Sequence, residues 1–126
     1  MGYVFSNPNP EKNLVGDCVI RAISIVMGRE WEDVYIDVVL QGFMMKDMPS
    51  SNAVWGSYLH RMGYRRTVIP NTCPDCYTVK DFCEDNPQGT FILATGTHVI
   101  AVKDGNYFDT WDSGNEIPIY YWKKEA

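Results

Sequence analysis

Basic clusters are missing from this sequence. The nearest approaches are Arg65-Arg66 and Lys123-Lys124, and 11 Lys and Arg against 16 Asp and Glu leave a formal charge of −5. A surface that binds a phosphate backbone needs gathered cations, so nucleic acid is not an expected partner. No apolar run approaches the ~20 residues that cross a bilayer, and no basic region followed by an apolar segment opens the chain. We therefore expect no membrane association and a cytoplasmic location. Internal repeats, linkers and low-complexity tracts are also absent, which argues for one domain over residues 1–126. The carboxylates Asp17, Asp33, Asp37, Glu84 and Asp85 lack a spacing that would gather ligands for calcium or magnesium. Histidine is scarce: His60 and His98 are the only two.

What is present is the composition of a globular protein, 45% apolar and 13% aromatic against 21% charged. A chain this long buries roughly two-thirds of the surface that its unfolded form exposes. The four cysteines, Cys18, Cys73, Cys76 and Cys83, carry no implication of a disulfide framework without a secretion signal, and reduced thiols are expected.

The first half reads as helices. Tyr3-Val4-Phe5 is a short strand or arm ahead of turns at Asn7-Pro8-Asn9-Pro10. Val19, Ile20, Ala22, Ile23, Ile25 and Val26 are apolar nearly all round, the pattern of a buried helix, with Gly28 as its stop. Glu30 to Asp33 open a second helix with acids in its positive first turn, and this helix should end near Gly42. Ser51 or Asn52 caps a third that Gly63 terminates, and Thr78 with Asp81 resembles a capping box for a fourth, closed by Asn86-Pro87. After Gly89 come β-branched and aromatic runs at 90–94, 98–102, 107–111 and 117–122, with 64–69 as a further strand. The expected fold class is α+β: N-terminal helices, the first carrying Cys18, packed on a C-terminal antiparallel meander.

Cys18 stands at the start of the first helix, just after Gly16-Asp17. Unpaired N–H groups and the positive end of the helix dipole favour a thiolate there. His98 opens a strand after Thr95-Gly96-Thr97, on a rigid element suited to a general base, whereas His60 lies mid-helix beside Arg61. Either residue alone could be structural: a small buried hydrophobe for Cys18, a satisfied strand histidine for His98. Together they form a candidate nucleophile and base.

Cys73-Pro74-Asp75-Cys76 allows three readings: a zinc half-site completed by Cys83 and a histidine, a redox dithiol, or a surface turn. Structural zinc sites commonly pair two half-sites and a redox dithiol should follow a strand and open a long helix, so we expect the turn, with neither metal nor cofactor.

Hairpin register points to a third residue. If Asp104-Gly105 forms a two-residue turn, Lys103 pairs with Asn106, and counting outward sets His98 opposite Trp111 and Ile100 opposite Asp109. Asp109 then lies diagonal to His98 on a shared face, while Asp112 projects from the other.

The order of Cys on a helix, His on a strand and a carboxylate on the next strand resembles that of papain-like cysteine peptidases. Gly16-Asp17-Cys18 is similar to the Asp-Cys element of bacteriocin-processing peptidases, and Asp109-Thr110-Trp111 to the Asn-Ser-Trp element of papain. The resemblance implies a papain-like fold and a Cys18-His98-Asp109 triad acting on a peptide or protein. The family places a glutamine six residues before the cysteine to bind the oxyanion. Here Lys12 occupies that position, and the expected donors are Asn13 and the Cys18 backbone N–H. The whole chain, from Gly16-Asp17-Cys18-Val19-Ile20-Arg21-Ala22-Ile23 to Asp109-Thr110-Trp111-Asp112-Ser113-Gly114, also resembles small proteins met in phage and prophage genomes of gut bacteria. That implies a bacterial host cell as the setting. Two functions follow: a cysteine peptidase, amidohydrolase or acyl transferase, or a catalytically degenerate phage accessory protein that binds a host component. Segments 42–51 and 70–76 are the expected groove walls.

Overall fold

The computed structural model describes residues 2–70 and 74–125. Its elements are β1 (Gly2–Phe5), α1 (Cys18–Met27), α2 (Trp31–Met45), α3 (Asn52–Arg61), β2 (Tyr64–Val68), α4 (Val79–Asp85), β3 (Thr90–Ala94), β4 (Val99–Lys103), β5 (Asn106–Asp109) and β6 (Tyr120–Lys124). The class is α+β.

Local chemistry explains most boundaries. Gly28 closes α1 in the left-handed region at φ 64°, its N–H bonded to the Ser24 carbonyl. The Thr78 hydroxyl and the Asp81 carboxylate exchange bonds with each other's backbone N–H groups, so α4 starts on a complete capping box. Asp104 and Gly105 have φ of 50° and 77°, the two positive values that a type I′ hairpin turn requires.

The second helix departs from expectation. It runs through Gly42 to Met45 and closes on Lys46 at φ 57°. The chain then folds back so tightly that the Asp47 N–H bonds the Gly42 carbonyl at 2.9 Å, and a Cβ on Gly42 would stand 2.8 Å from the Asp47 carbonyl oxygen. Gly42 is thus a point of close approach inside the helix, not its stop.

The sheet also departs from expectation. Six strands lie in the order β1-β5-β4-β3-β6-β2, and β1 runs parallel to β5. The sheet is therefore mixed rather than antiparallel. Nor do the last strands form a meander, because β6 passes over to pair with β3 through Ile92, Leu93 and Ala94 instead of following β5. Burial gives the reason: in that position Tyr120 and Trp122 pack on Trp55 of α3, with ring centroids 6.4 Å away in each case.

The sheet separates two cores. On one face α1, α2 and α3 bury Ile23, Val34, Val38, Val54, Tyr58 and Leu59 against Ile92, Ala94, Val99 and Ala101. On the other, α4 sets Val79, Phe82 and Cys83 against Phe91, Leu93, Ile100, Val102 and Tyr107. Among the described residues no helix is long and apolar enough to cross a membrane. The start of α1 meets the sheet where β4 begins and β5 ends, so Cys18, His98 and Asp109 converge there.

Candidate active site

Cys18 is the first residue of α1 and is half-buried. Asp17, at the N-cap, makes no side-chain cap bond. Its carboxylate is ion-paired with Arg21 one turn on, and its second oxygen accepts the Trp31 indole N–H at 3.0 Å. Among the described residues no side chain is seen to cap the first-turn N–H groups of α1, at the positive end of the helix.

His98 is held by the turn before it. The Thr95 hydroxyl accepts the backbone N–H groups of Thr97 at 3.1 Å and His98 at 2.9 Å, and the Thr95 N–H donates to the His98 carbonyl at 2.8 Å. The imidazole Nε2 lies 2.6 Å from Asp109 Oδ2. The Cys18 thiol shares one cleft with the ring and is coupled to it electrostatically, and with Nε2 on Asp109, Nδ1 is the nitrogen left to face the sulfur. The indole of Trp111 covers the imidazole at a centroid distance of 5.0 Å.

Asp109 is 2% exposed and fully engaged. Beyond His98, its carboxylate accepts the Ser113 hydroxyl at 2.7 Å and the Thr110 N–H at 2.8 Å, with an Arg21 guanidinium nitrogen at 3.4 Å. Its carbonyl takes the Ser6 N–H at 2.9 Å and the Tyr3 hydroxyl at 3.2 Å. The parallel pairing of β1, with Phe5 opposite Asp109, thus fixes the backbone behind the carboxylate.

The electrostatics favour charge separation. Burial pushes the Cys18 thiol up, but hydrogen bonds from His98 and the Val99 backbone, with the charges of His98 and Arg21, bring it below its ordinary value. Burial alone would lower His98; hydrogen bonds to Asp109 and Cys18 outweigh it and raise the imidazole to about 9. Burial would raise Asp109, and the His98 and Ser113 hydrogen bonds hold it below the usual carboxylate range. These shifts favour the Cys18 thiolate and the His98 imidazolium, beside an ionised Asp109, relative to the same groups free in water. Such a sulfur is a nucleophile and such a ring nitrogen a proton donor.

The cleft at this site, about 330 Å³, is walled by Leu14, Val15 and Gly16 on one side and by Thr97, Thr110 and Trp111 around His98. Asn13 is not among its lining residues; it is exposed, with its backbone tied to Asn7 and Asn9. Lys12 reaches back to the Asn7 carbonyl at 3.0 Å. Among the described residues of segments 42–51 and 70–76 none walls this cleft, although Pro49 and Ser50 line a neighbouring hollow; residues 71–73 lie outside the described residues. Asp112 accepts the Tyr107 hydroxyl and the Gly114 N–H and so shapes the 110–114 turn, away from the imidazole. His60 is exposed on α3.

Cys73 lies outside the described residues, and with it the readings of Cys73-Pro74-Asp75-Cys76 that depend on both cysteines. Cys76 is exposed, and Cys83 is buried under α4, where burial raises its thiol to about 11.

Sequence reading missed Arg21, Trp31 and Ser113 as parts of the site. For Arg21 the signal was available: a cation in an otherwise apolar helix, four residues after Asp17, is an i,i+4 pair that burial makes obligatory. Ser113 carries no such signal, because only the 110–114 turn returns it to Asp109. Comparison with protein-family models, curated proteins and solved structures finds no match to this chain.

Proposed function

We propose that this protein is a thiol hydrolase or acyl transferase built on a papain-like plan, acting on a peptide, isopeptide or amide bond of a peptide or protein in a bacterial cytoplasm. The observation that carries this reading is the meeting of Cys18 and His98 in one cleft, with His98 Nε2 held 2.6 Å from the Asp109 carboxylate. The Cys18 thiolate adds to the carbonyl carbon, and the oxyanion meets the first-turn N–H groups of α1, beginning with that of Cys18 itself. His98 gives its Nδ1 proton to the departing amine, leaving an acyl-enzyme. Water or a second nucleophile then attacks the thioester and passes its proton to His98, and Cys18 is released as thiolate. Asp109 keeps the imidazole oriented and stabilises its positive charge.

Iodoacetamide at mildly acidic pH tests the nucleophile. Cys18 should be alkylated ahead of Cys73, Cys76 and Cys83, with simultaneous loss of cleavage in a peptide-library assay. An unlabelled Cys18 would sink the proposal.

One observation favours a second reading. Among the described residues, none that lines the cleft supplies a side-chain amide for the oxyanion. A phage accessory protein that only binds a host component would need none. It would retain its partner in the Cys18→Ala variant and cleave nothing in the wild type.

A further inference from the structure

A second hollow, of about 350 Å³, shares Val15 and Gly16 with the Cys18 cleft. Its remaining walls include Ile20 of α1, Trp31, Tyr35 and Val39 of α2, and Pro49 and Ser50. The size is at the low end of ligand pockets, which run from roughly 300 to 1,000 Å³, and suits a side chain rather than a large cofactor. Trp31 and Tyr35 stack, with ring centroids 5.0 Å apart and planes 19° from parallel, so much of the wall is a rigid aromatic surface. The one carboxylate that borders it, Asp17, is already engaged by Arg21 and the Trp31 indole. Among the described residues that line it, no free charge is left to recognise a charged group.

The rim between the two hollows is low. Gly16 is exposed, and a Cβ built on it would meet nothing within 4 Å, so an extended chain can pass over it from the sulfur to the second hollow. Apolar surface continues outward: Tyr35 is 47% exposed, and Ile36 and Leu40, next to it round the helix, are 55% and 51% exposed. That surplus suits a peptide with bulky apolar residues better than a small polar amide.

We propose that this hollow selects the substrate of the Cys18 site by taking a large uncharged side chain, aromatic or aliphatic, from a residue close to the bond attacked. The inference rests on the thiol-hydrolase reading and adds the substrate class to it.

Chloroacetyl dipeptide amides test the pocket without requiring turnover. The Cys18 thiolate displaces chloride from the CH₂ group and forms a thioether, so labelling reports only on thiolate reactivity and probe binding. Chloroacetyl-Gly-Phe-amide and chloroacetyl-Gly-Leu-amide should label Cys18 about tenfold faster than the Gly-Gly and Gly-Asp probes. Val39→Trp, which fills the hollow, and Tyr35→Ala, which removes half of the aromatic stack at an exposed position, should each bring the ratio of Phe to Gly-Gly rates towards one. Equal rates for all four probes would overturn the pocket while leaving the nucleophile standing, provided that iodoacetamide labels Cys18. A Phe preference that both variants preserve would also overturn it, by showing that the side chain is read elsewhere. So would a wild-type dimer at labelling concentration, with no probe preference, that Val39→Trp converts to monomer: the occupant would then be a second copy of the chain. Failure of every probe and of iodoacetamide at Cys18 removes the thiol-hydrolase reading itself.

Discussion

His98 Nε2 lies 2.6 Å from Asp109 Oδ2 although the two residues come from the facing ends of different strands, one before β4 and one closing β5. The type I′ turn at Asp104-Gly105 produces this meeting, because it pairs Lys103 with Asn106 and Ala101 with Phe108. The nearby Asp112 instead holds the Tyr107 hydroxyl. Asp109→Asn, which keeps the shape and removes the charge, should therefore slow iodoacetamide labelling of Cys18 near pH 6 by about tenfold or more, since each pKa unit regained by the thiol is a factor of ten in thiolate. Asp112→Asn should leave it nearly unchanged. The opposite ranking would show that Asp109 does not govern the pair.

The pH dependence follows from the directions of the two shifts. Cys18 is lowered from 9.0 and His98 raised from 6.5 to about 9, so the thiolate–imidazolium pair is populated between the folded values. The labelling rate should rise with pH through a value below 9, and His98→Ala should move that rise upward. Steps that need the His98 proton should fade as the pH passes about 9. Stability is a poorer probe. The His98 contribution is full below 6.5 and lost as pH rises through about 9, while that of Cys18 is present above 9.0 and lost as pH falls through its folded value. The two slopes oppose each other where their pH windows overlap.

Arg21 is a buried cation between two buried carboxylates, Asp17 and Asp109. Arg21→Met keeps the length of the side chain but leaves both carboxylates short of a partner. It should cost about 3–5 kcal/mol in chemical denaturation, the range for removing one member of a buried ion pair. A loss below about 1 kcal/mol would mean that water or His98 takes over its role.

Gly42 provides a test of the fold remote from the chemistry. A methyl group there meets the Asp47 carbonyl oxygen at 2.8 Å, so Gly42→Ala should destabilise by about 1–3 kcal/mol despite the helical preference of alanine. Cys18 labelling per folded molecule should not change. A more stable variant would show that the 46–49 turn is not packed against α2 as described.

Several features were determined by the sequence alone because their causes span only a few residues. The left-handed stop of α1 needs Gly28, the start of α4 needs Thr78 and Asp81 three apart, and the hairpin register needs two residues that accept positive φ. The placement of Cys18 at a helix start and of His98 diagonal to Asp109 follows from those local rules. Tertiary structure decided what depends on distant partners. Alternation marks the buried face of Tyr120-Tyr121-Trp122 but not the strand beside it, and burial against Trp55 brought β6 to β3. An exposed run such as Tyr3-Val4-Phe5 carries no sign of whether it pairs parallel or antiparallel, and the free edge of β5 took it in parallel, locking Asp109 from behind. Asn13 stands outside the cleft because the Asn7 and Asn9 side chains organise the preceding loop, and Arg21 lies between two carboxylates because a buried charge needs partners wherever the fold can supply them. Pairing energies of this kind belong to contacts across the chain, so no window of neighbouring residues encodes them.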